Sequence, residues 1–165
     1  MTNRRDAILD VAERLIRAHG YSGFSFRDVA SEVGIKSASV HYHFPTTPDL
    51  AAEVAKRYRQ RFFEAVEAEV QSGAGRVEAW RSLFRRALDQ DGLMCLCGIL
   101  ATEGDGLPTE VANEARAFLR LGIDSLNQTQ NGEGGRILSQ LEGAMLIARS
   151  TNDVGFFDIA TENLA

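Results

Sequence analysis

A cluster of polar side chains between residues 36 and 43 could bind an extended anionic ligand. One residue supplies a cation, three supply hydroxyl groups and two supply imidazole rings: Lys36, Ser37, Ser39, Tyr42, His41 and His43. Groups of these kinds donate hydrogen bonds to phosphate oxygens and to the edges of nucleic-acid bases. The chemistry that this segment predicts is therefore recognition of nucleic acid.

Catalytic and metal chemistry are the alternatives to recognition. No nucleophile, metal-binding or phosphate-loop pattern with usable spacing occurs in the chain, and its acidic residues are scattered. His41 and His43 are two residues apart, so on a helix their side chains would point about 200° apart. Helical metal-binding pairs use a spacing of three or four residues. The sequence therefore predicts no catalytic residue, no metal and no cofactor.

Two cysteines, Cys95 and Cys97, stand in an apolar segment from Leu93 to Leu100. A thiol-based redox sensor would need an exposed thiolate near positive charge, and no Lys or Arg lies within several residues. Core packing is the preferred interpretation because a free cysteine behaves as a small hydrophobe. The redox role stays open as the alternative.

The distribution of charge supports a nucleic-acid ligand, although the net charge of −5 alone does not. Residues 1–61 carry a net charge of +3, whereas residues 62–165 carry −8. The polar cluster lies in the basic part. A locally basic surface on an acidic protein suits a selective DNA binder, because the acidic remainder opposes non-specific binding.

Apolar periodicity predicts that helices position these groups and make up the whole chain. The predicted helices cover residues 6–19, 26–33, 37–44, 48–71, 76–90, 93–103, 109–128, 136–150 and 154–164. Ser25 is the expected cap of the second helix, and Thr47, followed by Pro48, is the expected cap of the long fourth helix. We find no strand pattern of useful length, so the predicted class is all-α.

Residues 26–44 have the features of a helix-turn-helix, in which two short helices cross closely and the second enters the major groove. Ala30 is small where the helices would touch, and Gly34 permits a left-handed turn. Val29 and Val40 contribute to the apolar interior, together with Val33 and Ile35. The polar cluster would then lie on the outer face of the second helix.

The run from Phe26 to Pro45, FRDVASEVGIKSASVHYHFP, resembles the signature of the tetracycline-repressor (TetR) family. The resemblance implies a three-helix DNA-binding head followed by a helical body that binds an effector and dimerises. It implies base or nearby backbone contacts for Arg27, Ser37, Ala38, Ser39 and Tyr42, and phosphate contacts for His41 and His43. Lys36 and Thr47 complete the expected DNA-binding set, with Thr47 standing where Lys is common in the family.

The resemblance also implies an effector cavity in the helical body, which a small apolar or amphipathic molecule would occupy to release DNA. Candidate lining residues are Phe62, Phe63, Trp80, Phe84, Met94, Cys97 and Phe118. A solid core built from the same residues is the alternative interpretation.

The helix predicted over 136–150 is apolar nearly all round, so both of its faces must be covered. One face fits the core of the protomer and the other fits a second copy of the chain. The residues expected at a homodimer interface are Leu141, Gly143, Ala144, Met145, Ala148, Phe156 and Phe157.

Together these observations predict a DNA-binding domain over 1–47 and an effector-binding and dimerisation domain over 48–165. The expected protein is a cytoplasmic, ligand-responsive repressor whose partners are operator DNA, a second copy of itself and an unidentified small molecule. No apolar run approaches the length of a membrane span. An enzyme and a helical adaptor that binds only protein are the competing classes, and an adaptor would not need the polar face of residues 36–43.

Overall fold

The computed structural model describes residues 3–129 and 132–164, and every regular element in these ranges is helical. This confirms the predicted all-α class. Asn131, between the helices predicted over 109–128 and 136–150, lies outside the described residues. Nine α-helices occur in the described ranges: α1 Arg4–His19, α2 Phe26–Val33, α3 Ser37–His43, α4 Thr47–Gln71, α5 Arg76–Asp91, α6 Leu96–Ala101, α7 Thr109–Asn127, α8 Gly134–Thr151 and α9 Val154–Thr161.

The start of the long helix α4 corrects one detail of the sequence prediction. The helix begins at Thr47, so Thr46 rather than Thr47 occupies the capping position. The Thr46 hydroxyl accepts a hydrogen bond from the Asp49 N–H at 3.2 Å, and the Asp49 carboxylate accepts one from the Thr46 N–H at 3.0 Å. This reciprocal pair is a capping box, which satisfies two backbone donors at the helix start.

The chain forms two compact units. The first, here called the N-terminal unit, contains Met1–Arg59 and Leu96–Arg116; the second, the C-terminal unit, contains Gln60–Cys95 and Ala117–Ala165. The first part of α4 and the segment around α6 therefore belong to the same unit as the first three helices. The domain boundary expected at 47/48 stays a prediction from sequence.

The core of the N-terminal unit is formed by the apolar faces of its helices. In α1 the buried side chains recur at three- and four-residue steps, and α2, α3 and α4 each contribute to the same interior. Its buried apolar residues include Ile8, Leu9, Ala12, Leu15, Ile16, Phe26, Val29, Val40, Phe44, Leu50, Ala51 and Val54.

The C-terminal unit is built on a group of aromatic rings from α4, α5 and α7. Trp80 lies 4.8 Å from Phe62 and 5.8 Å from Phe118, measured between ring centroids. A side chain at Gly122 would meet the Trp80 ring, since a Cβ there would lie 2.8 Å from it. Glycine at this position of α7 therefore permits the close packing of helix against indole.

Helices α8 and α9 complete the C-terminal unit by packing against α5 and against each other. Arg85 on α5 donates to the Asp158 carboxylate on α9 at 2.7 Å, and this hydrogen bond raises the pKa of the Arg85 guanidinium. Within the described ranges, no helix has both the length and the apolar character to cross a membrane.

Candidate nucleic-acid interface

The turn between α2 and α3 places the two helices as a helix-turn-helix requires. The Ser25 hydroxyl caps α2 by accepting from the Asp28 N–H at 3.3 Å. Gly34 adopts the left-handed conformation, with φ 74° and ψ 36°, and the Ile35 N–H donates to the Ala30 carbonyl at 2.9 Å. Ala30 is buried, as its predicted position at the helix crossing requires. A glycine turn and a small buried residue thus let the second helix follow closely on the first.

Helix α3 turns one apolar residue inward and most of its polar residues outward. Val40 is completely buried, whereas Tyr42 is 86% exposed. Most of the DNA-binding set predicted from α2 and α3 is exposed, namely Arg27, Lys36, Ser37, Ala38, His41 and Tyr42, and Ser39 and His43 are half-buried. The Tyr42 ring contacts the His43 ring edge-on, with 5.2 Å between centroids, and most of its surface is left accessible to a DNA ligand.

A shallow surface concavity of about 440 Å³ lies on this outer face. It is lined by Arg4, Lys36, Ala38, Ser39, Tyr42 and His43. Five of these residues belong to the predicted DNA-binding set, so the structure brings them together. Arg4, at the start of α1, was not in that set. Its place in the basic N-terminal sequence was the available signal, but only the fold brings it next to α3.

Four predicted residues are not part of the lining of this concavity: Arg27, Ser37, His41 and Thr47. His41 packs its ring against Phe26, 4.5 Å between centroids, and its Nδ1 lies 3.4 Å from the Pro45 carbonyl oxygen. Thr47 is half-buried at the first residue of α4. The Phe44–Pro45 turn connects the end of α3 to the start of α4. At this start, the first backbone N–H groups of α4 point out of the helix end.

Ion pairs connect α1 to α4 within the N-terminal unit. Arg57 on α4 donates to Asp10 at 2.7 Å, and Arg5 on α1 donates to Glu53 at 3.0 Å. The Arg5 guanidinium also lies 5.1 Å from the centre of the Phe44 ring, within the range of a cation–π contact. These contacts hold α1 and the end of α3 in a set orientation on the first turns of α4.

Glu103, in the segment that follows α6, binds the loop between α1 and α2. Its carboxylate accepts hydrogen bonds from the backbone N–H groups of Tyr21 and Ser22 and from the Ser22 hydroxyl, the last two at 3.2 and 2.7 Å. A Cβ at Gly20 would lie 2.6 Å from the same carboxylate. Burial, followed by the charges of Glu110 and Glu103, raises the pKa of Tyr21. Glu103 thus fixes the loop that leads into the helix-turn-helix. Sequence patterns could not predict this role, because Glu103 is about 80 residues away from the loop in the chain.

The residues expected to line an effector cavity divide between the two units. Phe62, Phe63, Trp80, Phe84 and Phe118 form the aromatic group of the C-terminal unit, with ring centroids 4.8 to 6.4 Å apart in the contacting pairs. Met94 is buried in the same unit, whereas Cys97 is buried in the N-terminal unit. Within the described ranges, no group of three or more His, Cys, Asp or Glu side chains is placed to hold a metal ion.

The residues expected at a dimer interface divide by burial. Five of them are buried inside the protomer: Leu141, Ala144, Met145, Ala148 and Phe157. Gly143 and Phe156 are partly exposed, and a Cβ at Gly143 would meet nothing within 4 Å. The strongly exposed apolar side chains of α8 and α9 are Leu146, Ile147 and Ile159, at 49, 43 and 70%. Gly143 and Phe156 lie on the same two helices as these three side chains.

Comparison with known proteins gives both sequence and structural matches. The family described as "Bacterial regulatory proteins, tetR family" matches residues 8–54. The chain is similar to a TetR-family transcriptional regulator from Agrobacterium tumefaciens, with a TM-score of 0.90 and 29% identity, covering 98% of this chain and 95% of that one. A TetR transcriptional regulator from Legionella pneumophila gives a TM-score of 0.88 at 30% identity, with the same coverage.

A curated relative matches over a shorter segment. The HTH-type transcriptional repressor KstR2 of Mycobacterium tuberculosis is 25% identical over 89 residues, which are 54% of this chain and 44% of the relative. The chain thus matches less than half of the length of that repressor.

Proposed function

The chain belongs to the TetR family of bacterial regulatory proteins, and from this membership we propose that it is a DNA-binding transcriptional repressor. As proposed, it binds a palindromic operator as a homodimer and leaves the operator when a small molecule binds. A cytoplasmic location is part of the proposal, because the operator DNA of a bacterium lies there. The known relatives are regulators rather than enzymes, which supports a role without catalysis.

The observation that carries the proposal is the outer face of α3. It combines an exposed tyrosine, short hydroxyl side chains and a cation around one concavity on a helix held by a helix-turn-helix. We assign base or nearby backbone contacts to Arg27, Ser37, Ala38, Ser39 and Tyr42. The proposed phosphate contacts are Lys36, His41, His43 and Thr47. Phosphate contacts position the protein on DNA, while base contacts supply the sequence preference.

Arg4 extends the proposed DNA interface beyond the helix-turn-helix. It lines the same concavity as Lys36 and His43, so three groups able to bind phosphate oxygens surround it. Each phosphate that a cation neutralises releases condensed counterions, so Arg4 should add both to the affinity and to its dependence on salt.

A homodimer would supply the recognition area that one short helix lacks. Specific protein–DNA interfaces bury roughly 1,000–2,500 Å² of protein surface, more than seven residues of one helix provide. Leu146, Ile147 and Ile159 are exposed apolar side chains of α8 and α9, where Gly143 and Phe156 are also partly exposed, and clustered apolar exposure is typical of association sites. A two-fold dimer requires half-sites about 10 base pairs apart, or a multiple of one turn.

The proposed effector site lies among the aromatic rings of the C-terminal unit. Large apolar side chains with a few polar groups are typical of small-molecule sites. Trp80 adds a polar group to these rings, because its indole N–H donates to the Ser125 hydroxyl at 3.4 Å.

Operator binding is tested by selecting sites from random DNA with the full chain and then measuring the affinity of variants. Tyr42→Ala should weaken binding to the selected site by roughly 1–3 kcal/mol, or about 5- to 150-fold. Because Tyr42 is 86% exposed, the free energy of unfolding should change by less than about 0.5 kcal/mol.

Gln60→Ala, an exposed change on α4 away from the concavity, is the matched control and should leave affinity unchanged. If Tyr42→Ala binds the selected DNA as tightly as the wild type, α3 is not the reading helix. If no sequence is enriched at all, the adaptor class replaces the regulator.

A further inference from the structure

Glu142 is an acidic residue at the centre of the apolar helix α8. Both of its carboxylate oxygens are buried, and neither has a partner in good hydrogen-bond geometry among the residues that the structure describes. The residue as a whole is half-buried, so its stem reaches the surface while its charged end is turned inward. A buried charge without a partner is costly, and native proteins seldom keep one without a role.

The surroundings of the carboxylate are apolar and contain sulfur. Burial raises the pKa of Glu142 to about 7, and a weak hydrogen bond from the nearby Cys95 thiol opposes this rise. The Cys95 N–H donates to the sulfur of Met145 on α8 at 3.1 Å, so Cys95 packs against this helix. In the part of the chain that the structure describes, no basic side chain contributes to the pKa of Glu142. In its ionised form, the carboxylate therefore has no countercharge from these side chains, and a cationic ligand would supply one.

Leu138 on α8 lies near the aromatic group. Glu142 follows Leu138 by four residues, which places both side chains on one face of the helix. Leu138 packs where α7 approaches Trp80, since a Cβ at Gly122 would lie 3.2 Å from Leu138 and 2.8 Å from Trp80. The faces of aromatic rings attract cations and also provide apolar contact area. One turn of α8 thus separates an unpaired carboxylate from a residue packed beside the aromatic group.

We propose that Glu142 is the charge-recognising residue of a ligand site in the C-terminal unit, and that its ligand is a lipophilic organic cation. The positive centre lies against the carboxylate beside Cys95, and the apolar body contacts the neighbouring apolar and aromatic side chains. An anion of the same shape is excluded by repulsion from the carboxylate. This inference rests on the proposed function only where it predicts that the bound cation releases DNA. Binding of the cation itself is measured without DNA.

Two probes of the same shape and opposite charge test the assignment. Tetraphenylphosphonium and tetraphenylborate are titrated into the full chain by calorimetry at pH 8, and benzyltriethylammonium is included as a smaller cation. We expect saturable binding of at least one cation and none of tetraphenylborate. Glu142→Gln should weaken cation binding at least tenfold, whereas Glu162→Gln, at an exposed position after α9, should leave it unchanged.

The dependence on pH separates charge recognition from a purely structural role. Because a carboxyl of pKa about 7 is mostly ionised at pH 8 and mostly neutral at pH 6, affinity should fall about tenfold between them. In Glu142→Gln the affinity should not change over this range. The proposal is overturned if neither cation binds, if tetraphenylborate binds equally well, or if Glu142→Gln binds the cation within twofold of wild type.

Affinity for the selected DNA is measured for each protein in the absence of probe. A wild type that binds the cation through Glu142 but binds no DNA would contradict the proposed function and leave the ligand site supported. A wild type that binds DNA but neither cation would refute the ligand site and leave the proposed function standing.

Discussion

Replacing Glu142 by glutamine should make the protein more stable, and the gain should grow as the pH rises. Burial raises the pKa of this carboxyl in the folded state from the usual 4.5 to about 7. In the unfolded chain the group is solvated and ionises at its usual pKa. The folded state therefore holds the proton more tightly, and folding becomes less favourable as the pH rises from about 4.5 through 7.

The size of the effect follows from the difference between the two pKa values. At 1.36 kcal/mol for each unit of pKa, a rise from 4.5 to about 7 corresponds to roughly 3 kcal/mol once both states are ionised. The glutamine side chain of the variant does not titrate and resembles the neutral carboxyl in shape. The two proteins should therefore have similar stability near pH 4.5, and the variant should be more stable by up to about 3 kcal/mol at pH 8.

Urea denaturation of both proteins at half-unit steps from pH 4.5 to 8 measures this difference. The series stops at pH 8 because ordinary thiols begin to titrate above it, and Cys95 faces the carboxyl. Other ionisable groups are common to both proteins and cancel in the difference. If the difference in unfolding free energy stays constant across the range, the carboxyl is not buried in the folded protein, and the reasoning about Glu142 is wrong.

Three further changes test separate parts of the fold. Gly122→Ala should lower the free energy of unfolding by about 1–3 kcal/mol, because the added methyl group meets Trp80. Gly135→Ala is the control and should not lower it, because the space around Gly135 is open. Equal effects of the two changes in urea denaturation would contradict this packing. Glu103→Ala should speed hydrogen exchange at the Tyr21 and Ser22 amides, which donate to the Glu103 carboxylate, and should weaken DNA binding. Unchanged exchange at these amides would refute the contact. Ile147→Arg should convert a dimer into a folded monomer by light scattering; a variant that remains dimeric would exclude Ile147 from the interface.

The helices of the DNA-binding region could be predicted closely because their ends depend on local chemistry. The predicted and observed bounds of α2 agree, since Ser25 caps its start and Gly34 turns the chain at its end. The capping residue of α4 was misplaced by one position, because two adjacent threonines are both suitable caps and the contact with Asp49 selects Thr46. Helix α6 was predicted to span 93–103 but spans Leu96–Ala101, because an apolar run does not define where a short buried helix begins.

Sequence by itself determined the helical class, the helix-turn-helix and the outward polar face of α3, because caps, glycine turns and apolar periodicity act within a few residues. Tertiary structure alone decided which residues from distant parts of the chain meet: Arg4 with the face of α3, and Glu103 with the loop at Tyr21. It also decided which side of α8 is covered. A helix that is apolar all round has no preferred inner face of its own, so packing by α5 and α9 buried Leu141 and left Ile147 exposed.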